Sequence, residues 1–143
     1  MTQEKTVQVH VPYPYLLEKS ESLIEAGINP EIYMDGFFIE EAVPSELERI
    51  RAAFANKGLS ITLHGPYIDM NPGSAEEPVR LSTAAMYAKV LRVMESLRPK
   101  TVVLHAGYHE KRYKGNHELW LSQSLKTWPS LVAEAERIGS VIA

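Results

Sequence analysis

The fold is decided by the segment TVVLHAG, which occupies residues 101–107. Its first four residues are apolar or β-branched without alternation, a pattern typical of a parallel strand that is covered on both faces. A histidine follows at once, so a polar side chain stands where the strand ends. The segment LSITLHGP, residues 59–66, also reads as a strand and leads directly into His64. The sequence therefore predicts two parallel strands that each lead into a histidine.

Strand and helix patterns alternate on both sides of these two segments. Residues 6–11 and 31–34 read as strands, and residues 140–143 begin a fifth. Apolar residues at helical spacing fill the intervals, and Pro129 is expected to kink or split the last helix. Strands that alternate with helices predict an α/β fold in which crossover helices join parallel strands.

Two architectures fit this alternation: an open doubly wound sheet, or part of a (β/α)8 TIM barrel. The predicted strands begin about 34 residues apart, so eight units would need roughly 270 residues, which is within the usual range for such barrels. Length alone favours the open sheet, but the motifs GxGxxG and GxxxxGK[ST] of nucleotide-binding sheets are absent from the sequence. In the barrel alternative, residues 1–143 form a single domain of about four βα units plus the start of strand five.

Composition excludes several classes of protein. Of the 143 residues, 45% are hydrophobic and 23% are charged, which is ordinary for a folded domain and excludes disorder. The absence of cysteine excludes a disulfide scaffold, a thiol nucleophile and cysteine-bound zinc. No long apolar stretch follows residues 1–5, so we expect neither a signal peptide nor a membrane span, and we expect a cytoplasmic protein. The net charge of −3 does not favour nucleic acid as a partner.

Histidines supply the chemistry that the sequence makes visible. His64 and His105 follow neighbouring strands, and the carboxyl ends of parallel strands meet at one edge of a sheet. The two neutral imidazoles are therefore candidate ligands of one metal ion. His10 in the first strand, Tyr67 after His64, and His109 are candidate substrate contacts. In the alternative interpretation each imidazole only hydrogen-bonds a loop carbonyl and closes its strand.

One competing chemistry is excluded by the sequence. An apolar strand followed by His-Gly can supply the oxyanion hole of an α/β-hydrolase. That enzyme also needs a nucleophile elbow of the form GxSxG, which the chain does not contain. We therefore set the hydrolase interpretation aside.

The segments HGPY (64–67) and HAGYH (105–109) resemble the xylose isomerase-like TIM-barrel superfamily. That superfamily contains sugar and sugar-phosphate isomerases and epimerases together with the AP endonuclease family 2 repair enzymes. In the repair branch, histidines after strands three and four bind metal, and these match His64 and His105, while the first-strand histidine matches His10. Ala106 replaces a proline of that branch. The resemblance implies a partial TIM barrel and a divalent metal ion, either Zn, Mn or Mg.

The resemblance also leads to expectations about function. It implies a metal-dependent isomerase or epimerase that acts on a small sugar or sugar phosphate. In the superfamily a metal-bridging glutamate ends strand five, so we expect the acid–base residues and the later ligands to lie beyond Ala143, and the chain alone to be inactive. One alternative is an AP endonuclease-like phosphodiesterase. Another is a non-catalytic half barrel that forms homo-oligomers through its exposed edges.

Overall fold

The computed structural model describes residues 6–143. Residues 1–5, on which part of the expectation about a leader depends, lie outside the described residues. Within the described part, no helix is long and apolar enough to cross a membrane. In chain order the elements are β1 (Gln8–Pro12), α1 (Tyr13–Glu25), β2 (Asn29–Tyr33), α2 (Gly36–Glu41), α3 (Pro44–Ala55), β3 (Thr62–His64), α4 (Glu77–Leu97), β4 (Thr101–Val103), α5 (Glu110–Tyr113), α6 (His117–Ser124), α7 (Trp128–Ile138) and β5 (Val141–Ile142).

The five strands form one parallel sheet in the order β1-β2-β3-β4-β5. Each strand therefore pairs with its neighbour in sequence, and the order never reverses. A doubly wound sheet reverses its order at a switch point, whereas a barrel does not. Over residues 6–143 the sheet is open, with β1 and β5 at its two ends. The partial-barrel prediction is confirmed, and the doubly wound alternative is wrong.

One face of this sheet forms the hydrophobic core with the helices. Val11, Ile32, Leu63 and Val102, one from each of the first four strands, are buried and belong to this core. They pack with helical residues that are themselves fully or almost fully buried, among them Leu16, Leu47, Phe54, Tyr87, Val90, Met94 and Leu97. Helix α4 contacts both α3 and α7 and so forms the middle of the helical layer. The opposite face of the sheet carries the polar side chains.

Two local features differ from the patterns in the sequence. The first strand covers residues 8–12 rather than 6–11. The helix that follows begins at the next residue, Tyr13, and Pro14 lies in its first turn, where proline is tolerated. Helix α2 was not predicted. Asp35 caps it by accepting a hydrogen bond from the backbone N–H of Phe38 at 3.1 Å. The predicted split at Pro129 is confirmed, since α6 ends at Ser124 and this proline lies in the first turn of α7.

Candidate functional site

Five aromatic side chains meet at the carboxyl edge of the sheet. They are His10 from β1, Tyr33 from β2, His64 from β3, and Tyr67 and His105 from the loops that follow β3 and β4. We call this group the histidine–tyrosine cluster. Tyr33 and His64 are register partners, so parallel pairing itself sets their rings side by side. The structure thus brings four of the five predicted site residues together.

The ring contacts place His64 at the centre of the cluster. Its ring centroid lies 5.6 Å from that of Tyr33, 5.8 Å from that of Tyr67 and 5.2 Å from that of His105, each in an edge-on arrangement. His10 stacks on Tyr33 at 5.5 Å, and Tyr67 stacks on His105 at 5.1 Å. Edge-on and offset contacts at these distances are favourable for aromatic rings. The cluster is therefore packed together rather than scattered over the surface.

The two histidines predicted as metal ligands face each other through their Nε2 atoms, which lie 3.3 Å apart. The Nδ1 atom of His64 lies 2.9 Å from the carbonyl oxygen of Gly65. Because a carbonyl oxygen only accepts, this Nδ1 carries the hydrogen, and a neutral ring then keeps its free lone pair on Nε2. The His64 lone pair is therefore aimed toward the His105 ring, in the tautomer that metal-binding histidines use.

The two Nε2 atoms lie within hydrogen-bond distance of each other, and their separation is also the one that a shared ion requires. Two nitrogens that each lie about 2.05 Å from a tetrahedral zinc are separated by about 3.3 Å, which is the separation of the two Nε2 atoms. Within residues 6–143, no group of three or more histidine, aspartate and glutamate side chains gathers around a common point. The described residues thus bring two histidine nitrogens, His64 Nε2 and His105 Nε2, close together at this point.

Tyr33 belongs to the cluster but was missed by sequence reasoning. Burial, followed by the neighbouring Tyr67 and Asp35, raises the pKa of the Tyr33 hydroxyl above its ordinary value. The hydroxyl therefore stays protonated and able to donate at neutral pH. The signal that could have found it is the rule that selected His64, because Tyr33 is likewise the last residue of its strand.

A carboxylate lies one step below the cluster on the same face. Glu31 is the register partner of His10, and its Oε1 lies 4.0 Å from His10 Nδ1. Thr62 is the next residue in this row, and its buried hydroxyl has no hydrogen-bond partner within the described residues. The polar face of the sheet therefore continues below the cluster.

The loops after β3 and β4 interlock behind the cluster. Gly107 has a φ of +71°, and a β-carbon there would meet the Asn71 backbone at 2.8 Å. Asn71 is itself buried. Its N–H donates to the Thr83 hydroxyl at 3.0 Å, and its Oδ1 accepts from the Tyr113 hydroxyl at 3.0 Å. Glycine at 107 is thus required both by the left-handed backbone and by the close approach of the two loops.

His109 is the predicted contact that the structure places apart from the cluster. It is exposed at the N-cap position of α5, and its backbone oxygen accepts from Arg112 and Tyr113. Its role in substrate binding remains a prediction. His117, by contrast, starts α6 and stacks on Tyr108 at 4.9 Å, outside the cluster.

A parallel sheet whose strand order follows the chain without reversal has the arrangement found in α/β barrels. The sequence of residues 27–143 matches the family described as xylose isomerase-like TIM barrel, so the chain belongs to that family. The resemblance that the histidine segments indicated is confirmed. In a search of curated proteins, no sequence matches this chain.

Solved structures share the fold. The TTHB071 protein of Thermus thermophilus, from crystals soaked with ZnCl2, gives a TM-score of 0.75 at 20% identity, over 96% of this chain and 55% of that one. The 3-keto-D-glucoside 4-epimerase YcjR of E. coli gives 0.68 at 20% identity, over 97% and 55%. A D-psicose 3-epimerase in the presence of D-fructose gives 0.67 at 16% identity, over 93% and 50%. This chain spans about half the length of each of these structures.

Proposed function

We propose that this protein is a metal-dependent isomerase or epimerase that acts on a small sugar or sugar phosphate in the cytoplasm. The observation that carries the proposal is the 3.3 Å separation of the His64 and His105 Nε2 atoms. The family supports it, and so do the sugar epimerases among the structural neighbours. The net charge of −3 does not favour the alternative, a DNA-repair phosphodiesterase.

In this proposal the described residues bind and orient the substrate. His64 and His105 hold a divalent ion, Zn, Mn or Mg, through their Nε2 lone pairs. A divalent ion at this point supplies charge that polarises the neighbouring oxygens of a sugar. Tyr67 and the protonated Tyr33 hydroxyl donate hydrogen bonds to sugar oxygens, and His10 closes the site on the β1 side. His109, at the start of α5 and apart from the cluster, is the remaining proposed substrate contact.

Metal binding is tested with Co2+, whose visible absorption reports its ligands. We expect His64→Gln and His105→Gln each to weaken binding at least about tenfold, because each removes one of two nitrogen ligands. His117→Gln is the matched control, since it removes an exposed histidine outside the cluster. Equal Co2+ affinity in all four proteins would contradict the ligand assignment.

Activity is tested by incubating the protein with Zn2+, Mn2+ or Mg2+ and a panel of ketohexoses and sugar phosphates, and following epimer formation by NMR. We expect residues 1–143 alone to convert none of these compounds, any longer form that contains them to convert one class, and DNA containing an abasic site to remain uncut. Cleavage of that DNA without sugar conversion would instead establish the repair activity. If a longer form also binds Co2+ but carries out neither reaction, the enzymatic part of the proposal is wrong.

The open sheet favours a second role, self-association as a half barrel. Both ends of the sheet expose apolar side chains, with Val9 41% exposed on β1 and Val141 63% exposed on β5. Unpaired strand edges of this kind bind other strands. Sedimentation velocity over a range of concentrations tests this role, because a mass that stays monomeric throughout would exclude it.

A further inference from the structure

We infer that Tyr87, a buried residue of α4, is a positioning residue that holds His105 in place for ion binding. Its hydroxyl donates a hydrogen bond to the backbone carbonyl of His105 at 2.9 Å. This inference rests on the proposed metal pair, and it concerns a residue behind the site rather than a ligand.

The hydrogen bond lies where the sheet stops supporting the chain. The ladder around β4 is complete up to residue 104, since Gly65 N–H donates to the Val103 oxygen and Leu104 N–H donates to the Ala143 oxygen. His105 is the next residue, and its carbonyl is bonded by Tyr87 instead of by a strand. Tyr87 therefore supplies a hydrogen bond to the backbone of His105, the first residue beyond the ladder, whose side chain faces His64.

Tyr87 is rigidly held. Its side chain has no exposed surface, and its ring packs against Trp128 with centroids 5.8 Å apart. Burial raises the pKa of its hydroxyl well above the ordinary value, so the hydroxyl remains a donor at every pH near neutrality. A fixed donor on this carbonyl restrains the backbone of His105, and that backbone sets the point from which the ring reaches to within 3.3 Å of His64.

The next residue, Ala106, also has its backbone carbonyl bonded by a side chain, but more weakly. The Trp120 Nε1–H donates to the Ala106 carbonyl at 3.2 Å, but this bond is exposed to solvent. Water replaces the partner of an exposed bond readily, and less readily that of the part-buried bond from Tyr87, whose side chain has no exposed surface. Tyr87 is thus the contact whose loss would displace His105.

The test compares Tyr87→Phe with Tyr13→Phe. Both remove one hydroxyl from a buried tyrosine and keep the ring, but the Tyr13 hydroxyl donates to Glu46 at 2.8 Å, between α1 and α3. We expect Tyr87→Phe to weaken Co2+ binding about tenfold, as loss of supporting contacts to metal ligands commonly does. Tyr13→Phe should leave the affinity unchanged even where the melting temperatures of the two variants fall equally.

A second readout needs no metal. In NMR spectra of the metal-free protein, Tyr87→Phe should shift the side-chain nitrogen signals of His105 while those of His117 stay in place. Unchanged His105 signals would overturn the inference. Unchanged Co2+ affinity in Tyr87→Phe, in a wild-type protein that binds Co2+, would overturn it as well. If the wild type binds no Co2+, the proposed function falls, and the NMR comparison alone decides the role of Tyr87.

Discussion

The two faces of strands β2 and β3 carry opposite chemistry. On the helix side, Ile32 and Leu63 are register partners with no exposed surface. One residue further along, Tyr33 and His64 are the register partners, and their rings belong to the histidine–tyrosine cluster. Because successive side chains of a strand point to opposite faces, one step along the chain leads from the core to the candidate site. Residues that stabilise the core and residues of the candidate site are therefore immediate neighbours along the strand.

The polar face is itself divided along the strand direction. Near its amino edge a hydrogen-bonded group joins three strands or their flanks: Gln8 Nε2 donates to Ser60 Oγ at 2.8 Å, and the Ser60 N–H donates to Asn29 Oδ1 at 2.7 Å. Near its carboxyl edge lie the histidines and tyrosines. The amino end of the polar face thus holds strands together by hydrogen bonds, whereas its carboxyl end carries the candidate ligand-binding groups.

The strongest test of the contrast between the faces is Leu63→Ala beside His64→Gln. Leu63 is fully buried, so its truncation should lower the free energy of unfolding by about 2–5 kcal/mol. Its Co2+ affinity, measured where the variant is folded, should match that of the wild type. His64→Gln should weaken Co2+ binding in a titration, while its free energy of unfolding in urea should stay close to that of the wild type. Loss of metal binding in a folded Leu63→Ala protein would show that the two faces are coupled.

The amino end of the polar face is tested by Asn29→Ala. The variant leaves the partly buried N–H of Ser60 without its acceptor, and we expect a loss of about 1–2 kcal/mol in unfolding free energy. Asn56→Ala, at an exposed position after α3, is the control and should change stability by less than about 0.5 kcal/mol. Co2+ affinity should stay constant in both. If Co2+ affinity is weaker in Asn29→Ala but not in Asn56→Ala, the amino end of the polar face influences metal binding at the carboxyl end.

Local signals account for what could be predicted from the sequence. A strand pattern that leads directly into a histidine identifies both β3 and β4, and the alternation of strands and helices identifies the α/β class. The choice between a barrel and a doubly wound sheet depends on strand order, which only long-range pairing decides. Helix α2 was missed because it has only six residues, too few for its apolar side chains to show a helical period.

The sequence predicted site residues mainly where they follow the ends of predicted strands. His64 and His105 were found because each follows its predicted strand directly, whereas Tyr33 lies inside the predicted strand 31–34 and is a strand end only in the structure. Tyr87 lies within a helix and gives no local sign of its partner, which is 18 residues away. Contacts of that kind arise from packing of α4 on the sheet, and periodicity carries no information about them.

The smallest effect is expected for Thr62→Val, midway along the polar face. The Thr62 hydroxyl is buried without a partner in the described structure, so an isosteric methyl group removes a desolvation cost and no hydrogen bond. The free energy of unfolding should rise by up to about 1 kcal/mol. Thr83→Val is the matched control, because that buried hydroxyl accepts from the Asn71 N–H and donates to the Val79 carbonyl. It should lose about 1–3 kcal/mol. If Thr62→Val is equally destabilised in urea unfolding, the Thr62 hydroxyl has a partner in solution, and the middle of the polar face belongs with its hydrogen-bonded amino end.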